Sequence, residues 1–421
     1  MLRSSLALAL TCCFLAPLRA QAVWVVDDAP GPGVHFTDLQ SAVDAAGEAD
    51  TLLVQEGHYD SFTVLGKALN VSAELGALVR VRSGFAVRGL SAQQRVVVRG
   101  LETVLGPHWE AGASLKNNAG AVWLEDCVLR GGVLNGIQSN RAAPGLEVVG
   151  CAAVTVARCQ TWGGLGWHVE GGAFDAGSGG HGLYVDGAWL SVHGGELHGS
   201  DGGDVNAGEP LSGGAGGAGA WVENGQVLLS GVALHGGDGG WGDCDLWACG
   251  SDGVGGNGLR LPFGGDPLVR LQDCALVPGK GPYSSSPVAQ DIWASAGVHV
   301  ALPGSARAFA ASSPQREGEF SALSAQGEAG DAVLLAISNQ QGSLALDPFA
   351  GDFVLEPLAF QLLPLGGVGA SGELAFSLAL PSASDPLLAV RSLALQTVHV
   401  DAVGAVWLGH GSAITILDAA L

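Results

Sequence analysis

The chain is short of positive charge. It carries 18 Lys and Arg against 40 Asp and Glu, a formal net charge of −22 over 421 residues. A partner held by its phosphate backbone would be repelled, which removes nucleic acid from the partner classes. Charged residues of either sign make up only 14%, against roughly 25% in an average soluble domain. No G-X-Y period runs through the sequence, which excludes a collagen helix. No C-x-x-C pair occurs, so nothing supports a cysteine-rich zinc site. Neither an EF-hand loop nor the RTX calcium nonapeptide is present. After residue 22 no uninterrupted apolar run is long enough to cross a bilayer as a helix.

Glycine and apolar residues fill the space. There are 68 glycines, and 48% of residues are hydrophobic, too many for a disordered chain. The length suits two or three domains. Residues 1–22 run from Arg3 through an apolar stretch at 6–15 to Ala20-Gln21-Ala22. That order is the pattern of a secretory signal cleaved after Ala22, which implies a secreted or extracytoplasmic surface protein. Cys12 and Cys13 also raise a lipoprotein site, but Leu10-Thr11 before them fits one poorly. The six later cysteines are Cys127, Cys151, Cys159, Cys244, Cys249 and Cys274. An even count in an exported chain favours disulfides, and Cys244 with Cys249 is the pair the short spacing favours.

Self-similarity organises the middle of the chain. Segments 122–132, 154–164, 190–201, 227–237 and 269–280 each read as an apolar–x–apolar strand, a short turn, a second short strand and then usually glycine. Matching lead-ins begin at Gly182, Gly219 and Gly258. Period-2 patterning that returns regularly, with turns between, reads as a solenoid, in which each coil needs a neighbour to finish its core. Eight to nine coils between residues 50 and 300, stacked at about 4.8 Å, predict a rod of about 40 Å. Cys127, Cys159 and Cys274 share one coil position, so Cys127 and Cys159 are either bridged or stacked as buried thiols. An open coil end needs a cap. Thr37-Asp38-Leu39-Gln40 has the spacing of a capping box, and Phe36, Leu39, Val43 and Ala46 share a helical face up to Gly47. The expectation is a helix over 37–46.

Residues 37–64 (TDLQSAVDAAGEADTLLVQEGHYDSFTV), with their Gly57-His58-Tyr59 turn and the coil repeats after them, resemble the pectin-lyase-like β-helix superfamily. The resemblance covers about residues 23–300 and implies a right-handed parallel β-helix with a short N-terminal capping helix. It implies no single activity, because the superfamily holds lyases, hydrolases, esterases and noncatalytic surface proteins. Residues 305–421 lose the glycine density and read as alternating strands separated by turns, which suits a β-sandwich module. The expected fold is therefore all-β: signal segment 1–22, parallel β-helix 23–300 and C-terminal β-sandwich 305–421.

Residues 159–259 contain no Lys or Arg, but twelve acids, five His and six Trp. Three glycine-rich connections lie within them, at about 163–181, 199–219 and 236–257, where glycine would permit tight turns with positive φ. If the coils stack in register, His198 lies beside His235 and Asp201 beside Asp238. Those four are candidates for a polysaccharide hydrolase or lyase site, since glycoside hydrolysis needs two carboxyls across one sugar. Asp201, Asp204, Asp238 and Asp243 are candidate Ca2+ ligands, hard oxygens on pliable loops. The competing reading is that aspartates in such turns bond to backbone N–H groups.

Gly180-His181-Gly182 is similar to the Gly-His-Gly of polygalacturonases, but that family's remaining motifs are missing. Pectate-lyase chemistry calls for a basic group, and the acidic stretch has no Arg or Lys. Arg80, Arg82, Arg88, Arg95 and Arg99 read as an exposed strand ladder in the first coils. Trp189 and Trp221 adjoin strands and read as packing. Trp241 and Trp247 flank or occupy the Cys244–Cys249 segment and read as ligand-binding, a flat apolar face suited to a sugar ring. The expectation is a noncatalytic protein that binds a polysaccharide, a cell-surface glycan or another surface ligand through its acidic, Trp-bearing loops, with a polysaccharide-degrading enzyme as the alternative.

Overall fold

The computed structural model describes residues 21–104, 110–133, 141–171, 174–283, 289–345, 349–380 and 392–418. The signal segment lies outside the described residues except for its last two positions. Three parallel sheets form the walls of a solenoid, and the chain visits them in turn. Among the described residues face 1 has ten strands, from Val23–Val26 to Val298–Ala301; face 2 has eight, from Gly57–Tyr59 to Ala275–Val277, and face 3 eight, from Phe62–Leu65 to Ile292–Ala294. The chain is thus a parallel β-helix with eight coils carrying all three faces, at the low end of the number its repeats predict.

Alternation explains the stacking. On face 1 the register aligns Leu52, Val71, Val98, Leu124, Val156, Val192, Leu229 and Leu271 in one inward column. All are buried, each worth about 1.5–3 kcal/mol for its apolar surface. The corner from face 1 to face 2 requires a left-handed residue. Gly100, Gly194 and Gly231 take it at φ 73, 66 and 65°, and Asp126, Arg158 and Asp273 take it at 53, 52 and 51°. Cys127, Cys159 and Cys274 follow the last three. All three are free thiols, Cys127 and Cys159 fully buried, with the Cys127 N–H donating to the Cys159 sulfur at 3.4 Å. The alternative of a bridge between those two is not realised.

The capping helix is shorter than the spacing predicts, Leu39–Ala45. Its N-cap is Asp38, whose carboxylate accepts from the Gln40 and Ser41 N–H groups at 2.9 and 3.0 Å. Gln40 does not close a capping box with Thr37; its carbonyl accepts from Thr63 N–H instead, at 2.7 Å, and ties the helix to the first coil.

The C-terminal region is a sandwich of a three-stranded sheet (Phe309–Ala311, Phe320–Gln326, Glu373–Ala379) and a five-stranded one. Phe309, Leu323, Leu335, Leu395 and Ile414 fill the space between them. Its last strand, Val406–Leu417, contains Gly409 and Gly411. A Cβ at Gly411 would strike the Trp123 ring, so this glycine admits a fully buried tryptophan from face 1. Val97 and Trp123 of the solenoid form one core with Phe353, Val354, Ala394 and Leu408 of the sandwich.

Polar groups complete the dock. Buried Glu125 accepts from Trp123 Nε1 at 3.0 Å and Ala413 N at 2.8 Å, and pairs with Arg99 and Arg158. Arg99 donates to the carbonyls of Ala413 and Ala311, and Arg95 to that of Asn339. The expected exposed ladder is therefore wrong for Arg95 and Arg99, which the sandwich covers. Isolated coils could not reveal this, because the covering strands lie more than 200 residues away in sequence.

Candidate functional site

The three long connections all leave at the corner between faces 2 and 3 and stack there. Each has an outgoing and a returning segment, and their backbone hydrogen bonds repeat every third residue. The N–H groups of residues 199, 202 and 205 donate to carbonyls 235, 238 and 241 on the next outgoing segment. Those of 213, 216 and 219 donate to 251, 254 and 257 on the next returning segment. Those of 200 and 203 donate back to 180 and 177, and 217 and 214 donate to 200 and 203. Three residues per turn, with no bonds inside a segment, is the repeat of an extended polyproline-type helix. The connections form a bundle of such helices, cross-linked mainly by backbone hydrogen bonds.

This explains the glycines differently from the expectation. Gly202, Gly217, Gly240, Gly253 and Gly256 do not have positive φ; a Cβ on any of them would lie under 3.0 Å from a neighbouring carbonyl oxygen. Glycine is there because backbones pass too close for a side chain, and the acidic loops are a rigid block.

Of the three directions each segment presents, two face neighbouring backbones and the third carries side chains. Along it run two columns, Leu165, Asp201, Asp238 and Lys280, and His168, Asp204 and Trp241. The N–H in this direction has no backbone partner among the described residues, and where the residue one coil earlier is Asp or His its side chain accepts from it. Asp201 Oδ1 accepts from Asp238 N at 2.6 Å, and Asp238 Oδ1 from Lys280 N at 2.7 Å. His168 Nδ1 accepts from Asp204 N at 3.0 Å, and Asp204 Oδ1 from Trp241 N at 2.8 Å. Asp243 joins two tips, accepting from Ala207 and Gly208 N at 2.8 and 2.7 Å. The N–H groups of Cys244, Gly208 and Ala207 hold its carboxyl below the usual range.

The predicted neighbours do meet. Asp201 lies against Asp238, and the His198 and His235 rings stack at 4.5 Å. Trp162 continues the stack onto His198 at 3.8 Å. Burial, with His198 second, lowers the His235 pKa. His198 Nε2 pairs with Glu196 at 2.9 Å, and no described contact joins either histidine to Asp201 or Asp238. The carboxylates weighed for calcium are directed at backbone N–H groups. Among the described residues no group of three or more His, Cys, Asp and Glu side chains converges as a metal site would need.

At the far end of the bundle, Cys244 and Cys249 form the expected disulfide. Asp245 Oδ1 accepts from Trp247 and Ala248 N inside the loop it closes, both at 2.6 Å. Trp247 is 91% exposed and Leu246 92%; Trp241 is 44% exposed and meets Tyr283 edge-on at 4.5 Å. Beneath the tips Val169, Ala176 and Val205 form a small core of their own.

Sequence reasoning missed a cation–aromatic column on face 3. Trp221 lies between Arg141 and Arg260, at 5.0 and 4.4 Å, and Arg260 also covers Trp293 at 4.7 Å. Buried His181 accepts from Ala218 N at 2.9 Å. Burial, then Arg141 and Arg260, holds its pKa well below the ordinary value. The lead-in alignment contained the signal, because Tyr184, Trp221 and Arg260 each stand two residues after an aligned glycine.

Among the described residues no helix is long and apolar enough to cross a membrane. Compared with protein-family models and with curated proteins, the chain matches none.

Proposed function

We propose that this chain is a noncatalytic binding protein of the extracytoplasmic space, built on a β-helix of the pectin-lyase-like kind. Its ligand, a carbohydrate or another surface molecule, is met by Trp241 and Trp247 at the outer part of the glycine bundle. The observation that carries this reading is a contrast within that bundle. Its aspartates accept from backbone N–H groups of neighbouring segments, whereas Trp247 stands almost wholly in water on a loop closed by a disulfide. A rigid aromatic presented without a packing role loses little entropy on binding. The N-terminal segment 1–22 and the disulfide support export.

The test is a glycan array probed with the wild-type protein, with and without Ca2+, and with Trp241→Ala and Trp247→Ala. Binding that both substitutions weaken at least tenfold is expected. Binding indifferent to both would remove this site. Turnover of a uronate or neutral polysaccharide, lost in Asp201→Ala and Asp238→Ala, would replace the reading with the enzymatic alternative.

A further inference from the structure

The kind of partner can be taken further, resting on the binding reading above. Leu246 and Trp247 are the most exposed large apolar pair at the bundle's end, and they are adjacent in a six-residue loop. That loop is held by the Cys244–Cys249 bridge, by Asp245 accepting from two N–H groups, and by Asp245 N donating to Ala248 O at 2.9 Å. Its base is anchored as well, since Asp243 N donates to Leu211 O at 3.0 Å and Gly250 N to Asp243 O at 2.9 Å. Two large apolar side chains on a pre-ordered loop have the character of an interface hot spot.

Shape and charge narrow the occupant. The pair is convex, so it fits a concavity on the partner. Trp241, braced edge-on by Tyr283, is only 44% exposed and so projects less. Around the loop stand Asp243, Asp245 and Asp252, with Glu209 on the adjoining tip, and no Lys or Arg occurs from 159 to 259. An anionic bilayer, a nucleic acid or an acidic polysaccharide would be repelled; a cationic rim would be attracted and steered. We propose that the Cys244–Cys249 loop is a protein-docking plug, with Leu246 and Trp247 entering an apolar pocket rimmed by Lys or Arg on a partner protein.

The probe is a display library of a small scaffold with a randomised concave surface, panned on the full-length protein with no counter-selection. Selected binders should combine apolar pocket residues with flanking Lys or Arg. They should lose at least tenfold in affinity for Trp247→Ala and for Leu246→Ala, and weaken as salt rises. Both variants should melt with the wild type, because the side chains lie in water. Binders without cationic residues, or with equal affinity for Trp247→Ala, would overturn the proposal. If glycans bind in a Trp247-dependent way and no such scaffold binder emerges, the binding reading stands and the protein partner falls. If neither arm depends on the tip, both fall.

Discussion

The coils and the glycine bundle solve the same stacking problem by opposite means. In the coils, inward Val and Leu columns bury apolar surface, and backbone bonds between strands follow. In the bundle there are hardly any side chains to bury. Adjacent segments approach until N–H and C=O groups bond directly, and glycine is required wherever a Cβ would intrude. Coil length varies along the chain, but each strand pairs in register with the next, so each coil carries its own segment of the bundle to the correct height. The outward Asp and His side chains then close the N–H groups that neither neighbouring segment reaches.

The sharpest way to break this comparison is to add one methyl group. Gly217→Ala should cost more than about 4 kcal/mol, beyond ordinary overpacking. The Cβ would displace the Gly180 carbonyl, which is itself held by Ser200 N–H at 3.0 Å. Leu229→Ala in the coil column should cost about 3 kcal/mol through the cavity it leaves. Denaturant unfolding of the two variants should move one shared transition. A bundle that melts separately from the coils would show that the two regions are not one cooperative unit.

Acid should separate the dock from the bundle. His193 on face 1 and His410 on the sandwich are buried with rings 5.1 Å apart, and neither His193 nitrogen has a hydrogen-bond partner among the described residues. Arg158 faces both, with His399, Arg307 and Asp331 on the sandwich side. Burial first, then Arg158, lowers the His193 pKa to about 4, and burial with His193 and Arg158 holds His410 well below its ordinary value. The unfolded chain takes up these protons from about pH 6.5 downward, folded His193 takes its own only near 4, and burial holds the uptake at His410 well below its ordinary value. The stabilisation is whole above pH 6.5 and is lost as pH falls toward 4, up to about 3 kcal/mol for His193. Melting temperatures recorded from pH 7 to 4 should fall, and His193→Leu should flatten the curve; an unchanged slope would locate the loss elsewhere. Asp243, with its carboxyl depressed, keeps its ties until pH drops below 3.8, so the bundle should outlast the dock.

The smallest effect belongs to the outward columns. Asp201→Ala uncovers the Asp238 N–H, but water can take the carboxylate's place, so a loss of about 1 kcal/mol or less is expected in the same denaturant assay. A much larger loss would mean that the side-chain columns, and not the glycine contacts, hold the bundle.

Much of this was legible because coil length sets register. Aligning the repeats of neighbouring coils placed His198 against His235 and Asp201 against Asp238 with no structure, and four intervening residues were enough to pair Cys244 with Cys249. Other features escaped for identifiable reasons. Asp38 and Thr37 are both good N-caps, and only backbone direction selects between them. Glycine composition cannot distinguish a flexible turn from a close backbone approach. The fate of Arg95 and Arg99 depended on strands far away in the chain.

By itself the sequence determined the solenoid. A short alternating strand cannot bury its apolar side alone, and the return of the same strand pattern leaves the next coil as its natural partner. Tertiary structure alone decided what covers face 1 and which N–H group each aspartate meets. Glu125 and Ala413 N–H are 288 residues apart in sequence, and no local pattern encodes a contact of that range. The close packing that makes glycine indispensable arises only once the segments lie side by side.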